Sequence, residues 1–346
     1  MSKIIVSGNA GFIASHLVNK LIEQGNSTIG IDNLSGGFKE NINDKVEHWY
    51  DDLRDEKAVN TIFNSCRERY GEIDAVFHAA ADATEGRSFF TPRFCADNNL
   101  IAFINLIKAC IRIKVKRIIL FSSMSVYGEQ EYPFDETFER NPADPYGIYK
   151  AAMENLCECL APVYGFEYVI VRPHNIVNSP QRLDDPFRNV VGIWVNCLLR
   201  DKAFYIYGDG NSVRAWSNVG DVVDALVKCL DAPISGEIIN LGAKTPNTLN
   251  ELAAMVREEF ELITSKKTKE PVYMPGRPGE VKIAYSTVQK SIDLLGYKET
   301  KTLREAVREF IEWAYKKYPY GVTPKYSVPL ELINEKTPST WVNQLI

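Results

Sequence analysis

Six short apolar runs alternate with segments of helical period through the first half of the chain, and that alternation leaves few folds open. Lys3–Ser7, Thr28–Asp32, Val46–Tyr50, Ile73–His78, Arg117–Phe121 and Tyr168–Arg172 read as strands. Phe12–Gln24, Glu56–Tyr70, Ala96–Ile113 and Tyr146–Tyr164 carry apolar residues at helical spacing. Strands with consecutive apolar residues suit a sheet covered on both faces. The alternation therefore predicts an α/β fold: a doubly wound parallel sheet of the Rossmann type, with right-handed crossovers.

From about residue 175 the rhythm breaks. Pro180–Pro186 is loop-like. Asn189–Arg200, Gly220–Leu230, Asn250–Phe260 and Leu303–Lys317 look helical, and Phe204–Gly208 and Ile238–Gly242 look like short strands. The expected organisation is a dinucleotide-binding domain over 1–174, to which some later segments return. A smaller C-terminal α/β substrate lobe follows over 175–317. The tail, 318–346, has little periodicity but carries Leu330, Ile333 and Trp341.

Composition narrows the function classes. The formal net charge is −5, so a general nucleic-acid or membrane-surface role has no support. No apolar run approaches the ~20 residues of a membrane span. The seven cysteines are scattered, and Cys157-x-Cys159 is not zinc spacing, so no metal site is expected. Reduced thiols in a cytoplasmic protein are the expectation.

"VSGNAGFIASHL" places Gly8-x-x-Gly11-x-x-Ala14 between the first strand and the first helix. Gly8 permits a tight turn, Gly11 leaves room for a pyrophosphate against backbone amides, and Ala14 lets the helix sit on the strand. Phe12 and Ile13 open that helix. Asp32 ends the second strand about 20 residues on, where a carboxylate accepts hydrogen bonds from an adenosine ribose. It would repel a 2′-phosphate, which favours NAD over NADP. Asp52 ends the third strand, placed to reach the adenine, with Asn33 and Leu53 beside these acids.

"YGIYK" follows a proline-containing loop and opens a helix. Tyr146 and Lys150, at i and i+4, share one helix face. A phenol ionises near pH 10. An adjacent ammonium and a cationic nicotinamide would favour phenolate and make Tyr146 a base at neutral pH. Upstream, "FSSMSVYG" ends a strand in three serine hydroxyls.

Together these segments resemble the extended short-chain dehydrogenase/reductases, and within them the nucleotide-sugar 4-epimerases. The resemblance spans roughly residues 3–315. It rests on "GNAGFIASHL", "DNLSGG", "HAAA", "DNN", "SSMSVYG", "YGIYK", "RPHN", "GDGNSVRAWSNVGDV" and "RPGE". It implies Ser123 as the catalytic hydroxyl, Tyr146 as the base and Lys150 as its ribose-binding partner. Ala79 and Ala80 of "HAAA" would border the cofactor, with Asn99 and His174 along the nicotinamide. Asn175, Asn189, Arg214 and Arg277 would hold a nucleotide-diphosphate sugar, and Tyr205 would line the base pocket.

Two departures stand out. Asn9 adds a side chain near the phosphates, and Tyr149 replaces a small residue before Lys150. Relatives that dehydrate or decarboxylate the sugar carry acids where this chain has Met124 and Ser125. Their absence argues for transient oxidation at C4 without elimination, with Ser122 and Ser125 left to satisfy backbone groups. The expected enzyme is an NAD-dependent epimerase of a UDP-hexose or UDP-N-acetylhexosamine. A GDP- or CDP-sugar epimerase, C2 epimerisation, a dehydrogenase releasing the keto sugar and a non-catalytic sensor are the alternatives.

Two further expectations concern size and assembly. Seven positions after Arg277, Ala284 would leave room for an N-acetyl group at C2, whereas Tyr285 would close it. The helices in 99–113 and after Tyr146, with Met153, Leu156, Cys157 and Leu160, are apolar over broad faces. The resemblance implies that they pair in a homodimer.

Overall fold

The computed structural model describes every residue from Met1 to Ile346. Seven strands form one parallel sheet: β1 (Lys3–Ser7), β2 (Ser27–Ile31), β3 (Glu47–Trp49), β4 (Ala75–His78), β5 (Arg117–Phe121), β6 (Glu167–Pro173) and β7 (Glu237–Leu241). Their spatial order is β7-β6-β5-β4-β1-β2-β3. β4 and β5 are buried along their whole length, as expected where both sheet faces are covered. Successive side chains point to opposite faces. Ile4, Val6, Phe77, Ile119 and Val171 pack beneath the helices Phe12–Glu23 and Val219–Lys228. Ile5, Val76, Ile118 and Leu120 pack beneath Glu56–Tyr70, Ala102–Ile113 and Pro145–Tyr164. The later segments that return to this layer are thus the helix from Val219 and strand β7.

The helical stretch Pro92–Ile113 is 22 residues and apolar enough to cross a bilayer by length and composition alone. Half of its most apolar window is buried, through Phe103, Leu106, Ala109 and Cys110 against the sheet.

A third core, around Trp194, Phe204, Phe260 and Phe310, organises the lobe. The tail docks onto it. Trp341 and Ile346 are buried in that core, and Lys325 donates its backbone N–H to Asp184 O at 2.7 Å. Glu331 accepts the backbone N–H groups of Arg93 (2.9 Å) and Phe94 (2.7 Å). A carboxylate there satisfies two orphan donors and complements the positive end of the helix starting at Pro92.

Candidate active site

The strand order reverses between β1 and β4, and a long cleft opens there beyond the strands' C-terminal ends. Gly8 has φ +76°, and a Cβ on it would lie 2.7 Å from Ala80 N. Only glycine lets the turn after β1 pass so close to the end of β4. The helix Phe12–Glu23 starts at Gly11 without a side-chain cap and without an acid in its first turn. Its free N–H groups therefore face an anion-binding position. Asp32 accepts from Ala10 N (3.0 Å) and Leu34 N (2.7 Å). Burial raises its carboxyl above the usual range, against the pull of those two N–H groups. Asp52 is held by Arg54 at 2.6 Å and by Asn33 at 2.9 Å, and the Arg54 bond outweighs burial to bring its carboxyl down to about 2. Phe12, Ile13, Asp32, Asn33, Asp52, Leu53, Ala79 and Ala80 all line the cleft.

Asn9 does not reach toward this anion position. Its side chain turns inward, buried, and meets His48 Nδ1 at 3.1 Å. A Cβ on Gly30 would lie 2.3 Å from Asn9 Nδ2, so β2 carries a glycine where Asn9 packs. The Asn9 side chain therefore lies away from the anion-binding position. His174 lines the cleft, with both ring nitrogens buried and unpartnered. Burial lowers its imidazole to about 4, which keeps it neutral. Asn99 lies behind the wall instead. Its amide donates to Cys95 O (2.9 Å) and Asp82 O (3.3 Å), and its neighbours Asn98 and Ala102 line the cleft. The uncapped helix, the cleft-lining Asp32 carboxylate and the unpartnered imidazole fit a dinucleotide.

Asp144 caps the helix Pro145–Tyr164, accepting from Gly147 N at 2.8 Å. That start places Tyr146 and Lys150 together at the cleft, both buried. Lys150 Nζ lies 5.7 Å from the Tyr146 ring centroid and donates to Phe121 O at 2.7 Å. Burial lowers its ammonium to about 8. Burial also raises the Tyr146 phenol, the charge of Glu85 adds to that, and hydrogen bonding to Ser123 opposes it. In the protein without cofactor, the Lys150 ammonium donates to a backbone carbonyl and burial dominates the Tyr146 phenol. Ser123 Oγ accepts from Ser125 N (3.1 Å) and meets Ser125 Oγ at 3.2 Å.

The neighbouring serines also depart from expectation. Ser122 donates to the buried Glu154 carboxylate, and Ser125 donates to Glu85. Neither satisfies backbone at the strand end. Glu85 thus brings a carboxylate to this segment through Ser125, not at the positions of Met124 and Ser125 themselves.

A smaller cavity continues from the cleft, lined by Met124, Ser125, Asp144, Arg214, Arg277 and Ala284 among others. Arg214 donates to the backbone oxygens of Val213, Lys282 and Val281, and burial lowers its guanidinium. Arg277 stacks 4.7 Å over the Tyr207 ring and pairs with Glu280 through two contacts of 3.3 Å. These two cations suit a diphosphate. Asn175 and Asn189 line the larger cleft, with positive φ of 33° and 32°. Ala284 faces the smaller cavity, whereas Tyr285 packs by Tyr132, with ring centroids 6.0 Å apart. Tyr205 lines neither cavity; it packs against the lobe core and accepts from Trp194 Nε1 at 3.0 Å. Tyr207, two residues on, is the tyrosine beside Arg277. Glu85 was not anticipated. Its one sequence signal is a position shortly after the C-terminal end of a parallel strand.

The model of the NAD dependent epimerase/dehydratase family matches residues 4–242. The chain belongs to this family. Its members use NAD, which agrees with the cleft as built. The UDP-glucose 4-epimerase of Thermotoga maritima, solved with UDP-glucose, is 34% identical, with a TM-score of 0.83 over 91% of this chain and 99% of that one. The UDP-glucose 4-epimerase of Mycolicibacterium smegmatis is 29% identical over 90% of this chain and 98% of its own length. A UDP-glucuronic acid 4-epimerase of Bacillus cereus, solved with UDP-glucuronic acid and NAD, is 26% identical at a TM-score of 0.81, covering 91% of this chain and 100% of that one.

Proposed function

We propose that the protein is an NAD-dependent UDP-sugar 4-epimerase acting through a transient 4-keto sugar. The observation that carries this reading is the convergence of Tyr146, Ser123 and Lys150 on the cofactor cleft, next to a cavity bearing Arg214 and Arg277. Bound NAD supplies a hydride acceptor at C4 and a positive charge that favours the Tyr146 phenolate. Tyr146 Oη takes the C4 hydroxyl proton, directly or through Ser123, as the C4–H bond gives up its hydride and C4=O forms. After the keto sugar rotates, the hydride returns to the opposite face of C4 and Tyr146 returns a proton to the C4 oxygen. Lys150 and Asp32 hold the two riboses. Arg214 and Arg277 hold the diphosphate, with Asn175 and Asn189 at its nucleotide side. The test is incubation with a panel of UDP-, GDP- and CDP-sugars without added reductant, followed by NMR of the products. A C4 epimer of a UDP-sugar supports the reading; accumulation of reduced cofactor and free keto sugar would instead mark a dehydrogenase.

Ala284 supports acceptance of N-acetylated sugars. An alanine at the wall of the smaller cavity leaves space that a tyrosine would fill. Wild type is expected to turn over both UDP-GlcNAc and UDP-Glc, and Ala284→Tyr to lose the acetylated substrate by roughly tenfold or more. Competitive turnover measures the ratio, and an unchanged preference would dismiss this assignment.

We assign a homodimer and a cytoplasmic setting. Ile101, Ile148 and Val163 are exposed, and Ile104, Ile111, Leu156 and Leu160 are half-buried on the two adjacent helices. Such an outer face calls for cover. Met153 and Cys157 are buried in the protein's own core and do not contribute to it. Sedimentation at micromolar concentration should give twice the chain mass; a monomer would refute the pairing. All seven cysteines are free and six are buried, which supports a reducing compartment.

A further inference from the structure

Glu85 lines both the cleft that holds Tyr146 and the smaller cavity that holds Arg214 and Arg277. Its turn is fixed from several sides. Asp82 and Arg87 form a buried ion pair at 2.6 Å, and Thr84 Oγ1 donates to Asp82 at 2.7 Å. Ser88 Oγ donates to the Glu85 backbone oxygen at 2.6 Å and accepts from Tyr146 N at 3.3 Å. Gly86 packs closely: a Cβ there would lie 3.3 Å from Arg277 and 3.4 Å from Trp341. The carboxylate accepts from Ser125, whose hydroxyl meets Ser123. It therefore stands one hydroxyl away from the catalytic serine.

A sugar with its C4 hydroxyl at Tyr146 and its diphosphate at the two arginines spans the position of Glu85. The local cations are then all committed. Arg214 and Arg277 face the diphosphate, Arg87 is paired with Asp82, and Lys150 donates to Phe121 O. What remains beside the sugar is the Glu85 carboxylate, since Glu280 is paired with Arg277 and Asp144 caps the helix at Pro145. The Asp144 carboxyl shows the sign of that field. Burial raises it most, and the charge of Glu85 raises it further. A hydroxyl satisfies such a wall by donating to it. A sugar carboxylate would enter beside the like charge of Glu85, which is unfavourable.

Resting on the 4-epimerase reading, we propose that Glu85 is a specificity-determining residue. It accepts a hydrogen bond from a sugar hydroxyl flanking C4 and excludes sugars oxidised to a carboxylate at C6. The substrate class is therefore neutral UDP-hexoses and UDP-N-acetylhexosamines. UDP-uronates, such as the one bound by the Bacillus cereus relative, are excluded.

The experiment compares kcat/KM for UDP-glucose and UDP-glucuronate in wild type and Glu85→Gln. Dissociation constants for both nucleotide sugars are measured on the NAD-loaded proteins. Wild type should prefer UDP-glucose by roughly 100-fold or more. Glu85→Gln should cut that ratio at least about tenfold, raising use of the uronate while slowing the hexose. Comparable use of both sugars by wild type, or an unchanged ratio in a folded Glu85→Gln protein that retains NAD, overturns the proposal. If wild type binds but turns over neither sugar, the epimerase reading fails, and the ratio of dissociation constants decides the charge filter by itself. Should Glu85→Gln not fold, the wild-type ratio gives the same decision.

Discussion

Tyr146→Phe should lower kcat by roughly 10²–10⁴-fold, the range for loss of a general acid–base group. The ring stays, so the fold, the bound NAD and the affinity for the UDP-sugar should survive. Steady-state turnover, cofactor content and thermal unfolding check the three parts. Activity within a few-fold of wild type would remove Tyr146 from the chemistry. Ser123→Ala should lose less, because the phenol can still reach the hydroxyl directly or through water. The protein alone holds Tyr146 protonated through burial and the charge of Glu85. The positive charge of oxidised cofactor would act in the opposite sense and favour the phenolate.

The second large effect is on stability. Glu154 lies one helical turn after Lys150 and is fully buried. It accepts from Arg172 at 2.9 and 2.6 Å, from Arg140 at 2.5 Å, and from Ser122. Glu154→Ala strands a buried Arg172 without its counter-ion, and breaking such a pair costs about 3–5 kcal/mol. Denaturant unfolding should show that loss, while Glu154→Gln, which keeps shape and acceptor, should lose less. Burial raises the Glu154 carboxyl, but its bonds to Arg172, Ser122 and Arg140 win, and the net shift is downward. Its contribution is therefore present above the unfolded carboxylate value of ~4.3 and is lost as pH falls through the depressed native value. An alanine variant as stable as wild type would mean that the network is energetically idle.

Local pattern was enough for much of this. The consecutive apolar residues of β1 and β5, and the glycine spacing after β1, locate the sheet and its cofactor end. The i, i+4 spacing of Tyr146 and Lys150 puts both on the cleft. What escaped depends on contacts between distant residues. The strand at Ile238 was visible, but its placement beside β6 was not, because periodicity carries no information about the partner. Asn9 sits at a phosphate-loop position by spacing, yet the turn at Gly8 sends its side chain under β2. Tyr205 and Tyr207 alternate with one residue between them, and only the lobe core at the first and the Arg277 guanidinium at the second tell them apart. Glu85 reaches Ser125 from 40 residues away, and Glu331 caps a helix 238 residues earlier. No motif spacing encodes either contact.

The central claim is that a hydride leaves C4 and returns to C4 with NAD unchanged at the end of each cycle. The most direct measurement is turnover of UDP-glucose deuterated at C4, by enzyme carrying its own cofactor, with the product followed by NMR. The account predicts UDP-galactose with the deuterium retained at C4 and no accumulation of reduced cofactor. A product that has exchanged its C4 deuterium for solvent hydrogen, or a stoichiometric build-up of reduced cofactor with keto sugar released, would contradict it.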